Sequence, residues 1–401
     1  MNILIITPSF PNPGNLTEGL FNAQQAQALK KAGNNIVVIL CKPSVPEYLA
    51  KKLKRYEHLS HLPEYEERDG IIVIYNRFLQ IPHYSFPSLT TYSCAHSMIK
   101  TLKSMRLEKF FDVMQVHGTY PTGLAAPIVS QKISCPYILT LHIQDNPRIF
   151  RSHKSATLYK NMLEKASALI TVGSPLERFL NKILPERNQK ICKTIHNGVE
   201  ISLIDEILKE IAPKNNGWGH IISISNLWPI KGIDINLRAL AQLTNERVPW
   251  RRYTIIGEGP ERAGLEKLAN DLKINDRVVF LGRLIHQDTL RELARADIFC
   301  LPSWQESFGV VYLEAMAMGK PTIGCQGQGA EDIIRDGNDG LLLPPKDHIS
   351  LARGLKRLIQ DPEFAISLGK NAKLRARQFT WERNVEAYVE VYQSIINSRR
   401  L

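Results

Sequence analysis

The feature that most constrains the fold is an alternation of short β-rich runs with helical stretches, interrupted once and then restarted. In the first half the runs are "NILIIT" (2–7), "NIVVIL" (35–40), "IIVIY" (71–75), "DVMQVH" (112–117), "YILTLH" (137–142), "ALITV" (168–172) and "ICKTIH" (191–196). Helical apolar spacing lies between many of them, around 18–32, 155–166 and 174–184. Runs of four to six apolar or β-branched residues are what parallel strands buried on both faces look like. Alternation with helices then predicts an α/β, doubly wound sheet. After a weakly structured stretch near 205–219 the pattern begins again, with strands at 221–225, 253–257, 278–282, 298–302, 321–325 and 340–344. Helices are expected between them at 233–244, 260–272, 287–295 and 309–318, and the tail "WERNVEAYVEVYQSIINSRR" reads as one more amphipathic helix. The expectation is two Rossmann-like domains of similar size facing each other across a cleft, residues 1–200 and 201–383, and 401 residues suffice for both. Ligands of such sheets bind beyond the carboxyl ends of the strands.

Composition narrows the function classes. The chain is 44% hydrophobic and 22% charged, as soluble globular proteins are. Six scattered cysteines form no CxxC and no His/Cys cluster, which argues against a disulfide framework or a zinc site and for a reducing cytoplasm. "MNILIITPSF" lacks a basic n-region and a small-residue cleavage site, so it reads as a first strand; no run of about 18 apolar residues appears anywhere. The net charge of +12 is uneven: residues 1–200 hold 24 Lys and Arg against 14 Asp and Glu. A basic first half points to an anionic partner, and without an RRM, KH or zinc-finger pattern a membrane surface or lipid phosphate is a better partner than nucleic acid.

Three stretches carry candidate chemistry. "GEGPERAG" (257–264) follows a strand and opens a helix, but Arg262 stands where a dinucleotide fingerprint needs its third glycine. Gly257 and Gly259 therefore read as a tight strand-to-helix turn. "SNLWPIKGID" (225–234) sets Lys231 and Gly232 just before a helix, where an ammonium group and free N–H groups make an anion site. "QESFGVVYLEA" (305–315) holds Glu306 and Glu314, which a continuous helix would separate by about 12 Å. That is beyond the roughly 5–10 Å at which carboxylates share one bond-breaking event. Glu306 is expected on a loop at the carboxyl edge of the sheet and Glu314 in the helix, with the backbone N–H groups of Phe308, Gly309 and Val310 facing the same ligand. One carboxylate holds vicinal hydroxyls of a sugar and the other those of a ribose, with a diphosphate between them reaching Lys231.

On "KGID", "GEGP", "FLGR", "ADIFCLPSWQESFGVVYLEAMAMGKP" and "GAEDIIRDGNDGLLLP", in that order, the chain resembles retaining glycosyltransferase family 4, of the GT-B fold. The resemblance covers nearly the whole chain. It implies that Glu306 contacts the transferred sugar, Glu314 the nucleotide ribose and Lys231 the diphosphate. Gly19, in "PGNLTEGLFNAQQAQAL", is implied at the closest approach to the phosphates, and His117, in "VHGTYPTG", beside the reacting sugar. His142 and Asp145, in "LHIQD", are implied as a pair on the acceptor side, "HNGVE" (196–200) as the interdomain crossing, and residues 384–401 as a helix returning to the first domain. Relatives usually have an arginine five residues before the Lys-Gly, where this chain has Asn226; Arg283 and Arg262 are the candidates to replace its charge. The implied activity is retaining transfer of a hexosyl unit from a nucleotide-diphosphate sugar, a UDP-sugar before GDP-mannose, to a lipid-linked or saccharide acceptor. No metal or other cofactor is expected. The opening "EGLFNAQQAQALKKAG" resembles bacterial surface-polysaccharide enzymes, which implies a cytoplasmic enzyme with peripheral contact to an anionic membrane through "YLAKKLKRYEHLSHL" (48–62). A nucleotide-sugar 2-epimerase or a non-catalytic sugar-nucleotide-binding relative would share the architecture.

Overall fold

A computed structural model describes residues 1–45, 59, 62–80, 86–142, 152–184, 191–211 and 217–399. The chain divides into two compact units: unit 1 is Met1–His196 with Trp381–Leu401, and unit 2 is Asn197–Thr380. The divisions thus fall a few residues before 200/201 and 383/384. Among the described residues no helix is long and apolar enough to cross a membrane.

Unit 1 holds an eight-stranded sheet of β1 (Asn2–Thr7), β2 (Asn35–Pro43), β3 (Tyr65–Arg68), β4 (Ile71–Phe78), β5 (Val113–His117), β6 (Tyr137–Leu141), β7 (Ala168–Thr171) and β8 (Cys192–Thr194). Their spatial order is β3-β4-β2-β1-β5-β6-β7-β8, parallel except for β3, which runs antiparallel to β4 at the edge. Every residue of β5, β6 and β7 is buried, as their unbroken apolar runs require. The charged edge strand "YEER" does not look like a strand from its sequence, because an edge strand tolerates charge and is protected by it.

The helix Trp381–Ser398 completes this unit. Val385, Tyr388, Val391, Tyr392 and Ile395 enter the core beside Ala26 and Leu29 of the helix Leu20–Lys31. Side chains of this size contribute about 1.5–3 kcal/mol each when fully buried. Buried polar groups then fix the docking. Gln25 donates to Asn384 at 2.7 Å and Gln115 donates to Gln25 at 2.6 Å. Tyr392 bonds Gln115, Tyr388 meets Thr140 at 3.1 Å, and Asn384 donates to the His196 carbonyl at 2.7 Å. A slipped helix would leave several of these groups buried without partners, at about 1–3 kcal/mol apiece.

Unit 2 is an all-parallel sheet of β9 (His220–Ile224), β10 (Arg252–Ile256), β11 (Val278–Gly282), β12 (Ile298–Cys300), β13 (Thr322–Cys325) and β14 (Leu341–Leu343), in the order β11-β10-β9-β12-β13-β14. The sequence placed a weakly structured stretch near 205–219; its first part instead belongs to the helix Ile201–Glu210, whose Ile204 and Ile207 are buried. The helices His348–Gln360 and Pro362–Ala376, unassigned from sequence, close the unit. Each sheet reverses its winding once, between β1 and β5 in unit 1 and between β9 and β12 in unit 2. Such switch points are where open α/β sheets bind ligands.

Candidate active site

In unit 2 two of the residues singled out from sequence, Lys231 and Glu306, meet at the switch point. β9 runs into a loop that carries Lys231, and β12 into one that carries Glu306. Trp304 N–H donates to the Ile230 carbonyl at 3.0 Å and Ser303 Oγ to the same oxygen at 3.2 Å, which zips the two loops together. Gly232 has φ 70°, and a Cβ there would collide with the Pro302 carbonyl. With the loops so joined, Lys231 Nζ donates to Glu306 Oε2 at 2.8 Å; both side chains are largely buried. A contact of this length is a strong, charge-assisted one.

The Glu306 loop is braced from the other side. Its carbonyl accepts from Gly329 N–H at 2.9 Å, and its N–H donates to Gln328 Oε1 at 3.3 Å. Phe308 is buried. Gly309, at φ 86°, caps the helix Val310–Ala317; a Cβ on it would strike the Tyr312 ring, whose hydroxyl donates to the Leu301 carbonyl at 2.7 Å. The N–H groups of Gly309 and Val310 have no partner among the described residues.

Glu314 lies in that helix, nearly buried, and Glu314 Oε1 is 2.7 Å from His286 Nε2. His286 opens the helix His286–Arg295 after β11. Burial alone would lower its pKa, but the hydrogen bond and the negative charge of Glu314 outweigh burial and raise it above the usual histidine value. Sequence reading did not single out His286. The available signal was a histidine in the first turn of a helix at the carboxyl edge of the sheet, and local spacing does not reveal a partner 28 residues away.

Arg283 follows β11, is exposed, and has no hydrogen bond or ion pair among the described residues. Arg262 differs: it is held by Glu258 and, at 2.9 Å, by Glu266. Of the two candidates to replace the charge missing at Asn226, Arg283 is the one left available. Ser225 Oγ, at the end of β9, is buried without a partner among the described residues. The "GEGP" turn has a packing role, since a Cβ at Gly257 or Gly259 would run into the Ser225 or Leu227 carbonyl.

In unit 1, Gly19 caps the helix Leu20–Lys31 at φ 59°, where a Cβ would overlap the Ser9 carbonyl in the loop after β1. Asn22 donates to that same carbonyl at 2.8 Å. The glycine is therefore demanded by the chain's own backbone crossing. His117 ends β5, and its Nδ1 lies 2.8 Å from His142 Nε2, just beyond β6. The two rings are nearly parallel, 10° apart, and Phe21 lies against His142 with ring centroids 4.8 Å apart. Burial pulls His142 down to about 4; burial, and then the facing His142, hold His117 well below its usual value. The sequence assigned these histidines to different roles, and the structure brings them into contact. Asp145 lies outside the described residues.

Comparison with known proteins agrees with this architecture. Residues 21–203 match a family model described as Glycosyltransferase Family 4, and residues 205–375 one described as Glycosyl transferases group 1. A D-inositol 3-phosphate glycosyltransferase of Acidothermus cellulolyticus is 34% identical over 340 residues, 78% of this chain and 74% of its own. The putative teichuronic acid biosynthesis glycosyltransferase TuaC of Bacillus subtilis is 28% identical over 408 residues, 98% of this chain and 99% of its own. Among solved structures, Anabaena HepE in complex with UDP-glucose superposes with a TM-score of 0.71 at 21% identity, over 98% of this chain and 99% of that one. That last likeness speaks for the fold. With two parallel-sheet Rossmann-like units and a relative at this identity across most of both chains, the protein belongs to the GT-B glycosyltransferases of the family 4 type.

Proposed function

We propose that this glycosyltransferase moves a hexosyl unit, with retention, from a nucleotide-diphosphate sugar to a lipid-linked or saccharide acceptor during assembly of a cell-surface polysaccharide. A UDP-sugar is the favoured donor and GDP-mannose the second. The observation that carries the reading is the Lys231–Glu306 pair at the switch point of unit 2, a cation and a carboxylate at 2.8 Å where such sheets bind ligands. A donor exchanges this ion pair for two contacts of its own: the diphosphate takes Lys231, and sugar hydroxyls take Glu306. Glu314 holds the ribose, with His286 beside it, and Arg283 supplies the second positive charge. Retention follows from front-face transfer. The bond from the anomeric carbon to the diphosphate oxygen breaks, the acceptor oxygen bonds the same face, and its proton passes to the departing phosphate oxygen. Lys231 acts there by stabilising the charge that develops. The UDP-glucose complex of HepE supports the donor class, and the name of TuaC supports the polysaccharide role.

The test is turnover of UDP- and GDP-sugars with a polyprenyl-diphosphate-linked acceptor, with the product's anomeric configuration read by proton NMR. A product of inverted configuration would remove retention. Binding of neither UDP nor GDP would remove the donor assignment, and epimerised sugar released without acceptor would replace transfer altogether. The reading includes metal-independent turnover by a cytoplasmic enzyme and peripheral membrane contact through residues 48–62. Of those, all but Leu59 and Leu62 lie outside the described residues. Lysines near an anionic leaflet add about 1 kcal/mol each. Equal partitioning onto neutral and anionic vesicles at low salt would sink the contact.

A further inference from the structure

The histidine pair of unit 1 carries a constraint that the reaction as described does not use. Each neutral imidazole has one N–H and one bare nitrogen. His117 Nδ1 and His142 Nε2 are 2.8 Å apart, so one donates and the other accepts. If His117 donates, its hydrogen is on Nδ1 and that of His142 must also be on Nδ1. If His142 donates, both hydrogens are on Nε2. The two rings therefore share one tautomer, and their outer nitrogens, His117 Nε2 and His142 Nδ1, always have opposite character.

Neither outer nitrogen is paired among the described residues. His117 is 2% exposed, yet its Nε2 has no hydrogen-bond partner among the described residues, and neither has His142 Nδ1. Such buried groups are nearly always satisfied, so an open one at a strand's carboxyl end marks a ligand position. Burial keeps both rings neutral, which suits hydroxyls and not phosphates. A hydroxyl both donates and accepts, so adjacent hydroxyls can match either state of the pair.

We propose that His142 is a positioning residue that ties the tautomer of His117 to its own, so that in either joint state the pair presents one donor and one acceptor to neighbouring hydroxyls of a sugar. This rests on the sugar-transfer reading above for its ligand, though not for the lock itself. The lock is read on full-length protein labelled with 15N-histidine, by long-range proton–nitrogen NMR, with the two rings assigned from His117→Gln and His142→Gln. The same tautomer in both rings, neutral at about pH 7, is expected. Different tautomers, or a protonated ring, would overturn the proposal. His142→Phe keeps the ring and removes the bond, so the tautomer of His117 is no longer tied to a partner, and kcat/KM should fall on the order of 100-fold with UDP affinity unchanged. His142→Gln restores a group that bonds Nδ1 and should recover most of the loss. A fully active His142→Phe, or a His142→Gln no better than His142→Phe, counts against the lock. If His142→Phe does not fold, the wild-type and His142→Gln spectra decide. Absence of turnover with every donor would remove the transfer reading and leave the NMR result standing.

Discussion

Unit 1 and unit 2 each place a histidine at the carboxyl edge of a sheet, against one other titratable side chain, and the partner reverses the outcome. In unit 1 the ring of His117 faces His142, and burial has no opposite charge to offset it, so both stay neutral. In unit 2 the ring of His286 faces Glu314, whose charge outweighs burial and favours the imidazolium. Lys231 and Glu306 repeat the charged arrangement in the same unit. At these histidines one unit thus presents uncharged hydrogen-bonding groups and the other an ion pair, although both are built on the same kind of sheet. The chemistry comes from side chains at the strand ends and in the segments that follow them, and the sheet decides only where they stand.

The comparison can be broken most severely at Lys231. If its charge acts on the departing diphosphate, Lys231→Ala should lower kcat by roughly 100- to 1,000-fold while donor KM changes little. Because the two groups are paired, Lys231→Ala with Glu306→Gln should lose less than the product of the single losses. Steady-state kinetics on the four proteins measures both; a Lys231→Ala whose only defect is a raised KM would make this lysine a uniform binder. Glu314→Gln comes next. It should weaken UDP binding by about 1–3 kcal/mol, while Glu306→Gln leaves UDP affinity near wild type. Titration calorimetry separates the two, and the reverse result would exchange their roles.

The pH dependence of stability sharpens the contrast. Lowered pKa values mean that the unfolded chain binds more protons, so the His117–His142 pair stabilises above about pH 6.5 and loses that contribution as pH falls toward 4. The slope is at most about 1.4 kcal/mol per pH unit per group. His286 is raised, so its contribution is complete below about pH 6.5 and disappears as pH rises through its folded value. Denaturant unfolding across this range should therefore show His142→Phe flattening the acid side and His286→Phe the neutral side. The smallest effect expected is none: a chelator should leave turnover unchanged, and loss of activity restored by a divalent ion would overturn the metal-independent reading.

Much of this was legible in the sequence because the responsible forces are local. Buried parallel strands announce themselves as apolar runs, and Lys231, Glu306 and Glu314 follow strands at a recognisable spacing. The edge strand "YEER" was not legible, since its exposure removes the pattern. Nor was His286: its importance lies in a contact with Glu314 that only folding creates. The same holds for His142, whose neighbour in the sequence motif was Asp145 and whose neighbour in space is His117. Gly19 shows the converse, a motif glycine that backbone crowding at Ser9 already explains.

The helix Trp381–Ser398 belongs to unit 1, yet unit 2 lies wholly between it and the rest of that unit in the chain. On the ribosome the first sheet therefore emerges with the face for Tyr388 and Tyr392 uncovered, and waits for the entire second unit to be made. Unit 2, whose residues are contiguous, should become protease-resistant on the nascent chain before unit 1 does. Stalled chains carrying residues 1–380 followed by a flexible linker long enough to clear the exit tunnel would show that order, and early resistance of unit 1 would refute it. During that interval the apolar face around Ala26 and Leu29 stays bare, so the first unit is held unfinished by the order of its own chain.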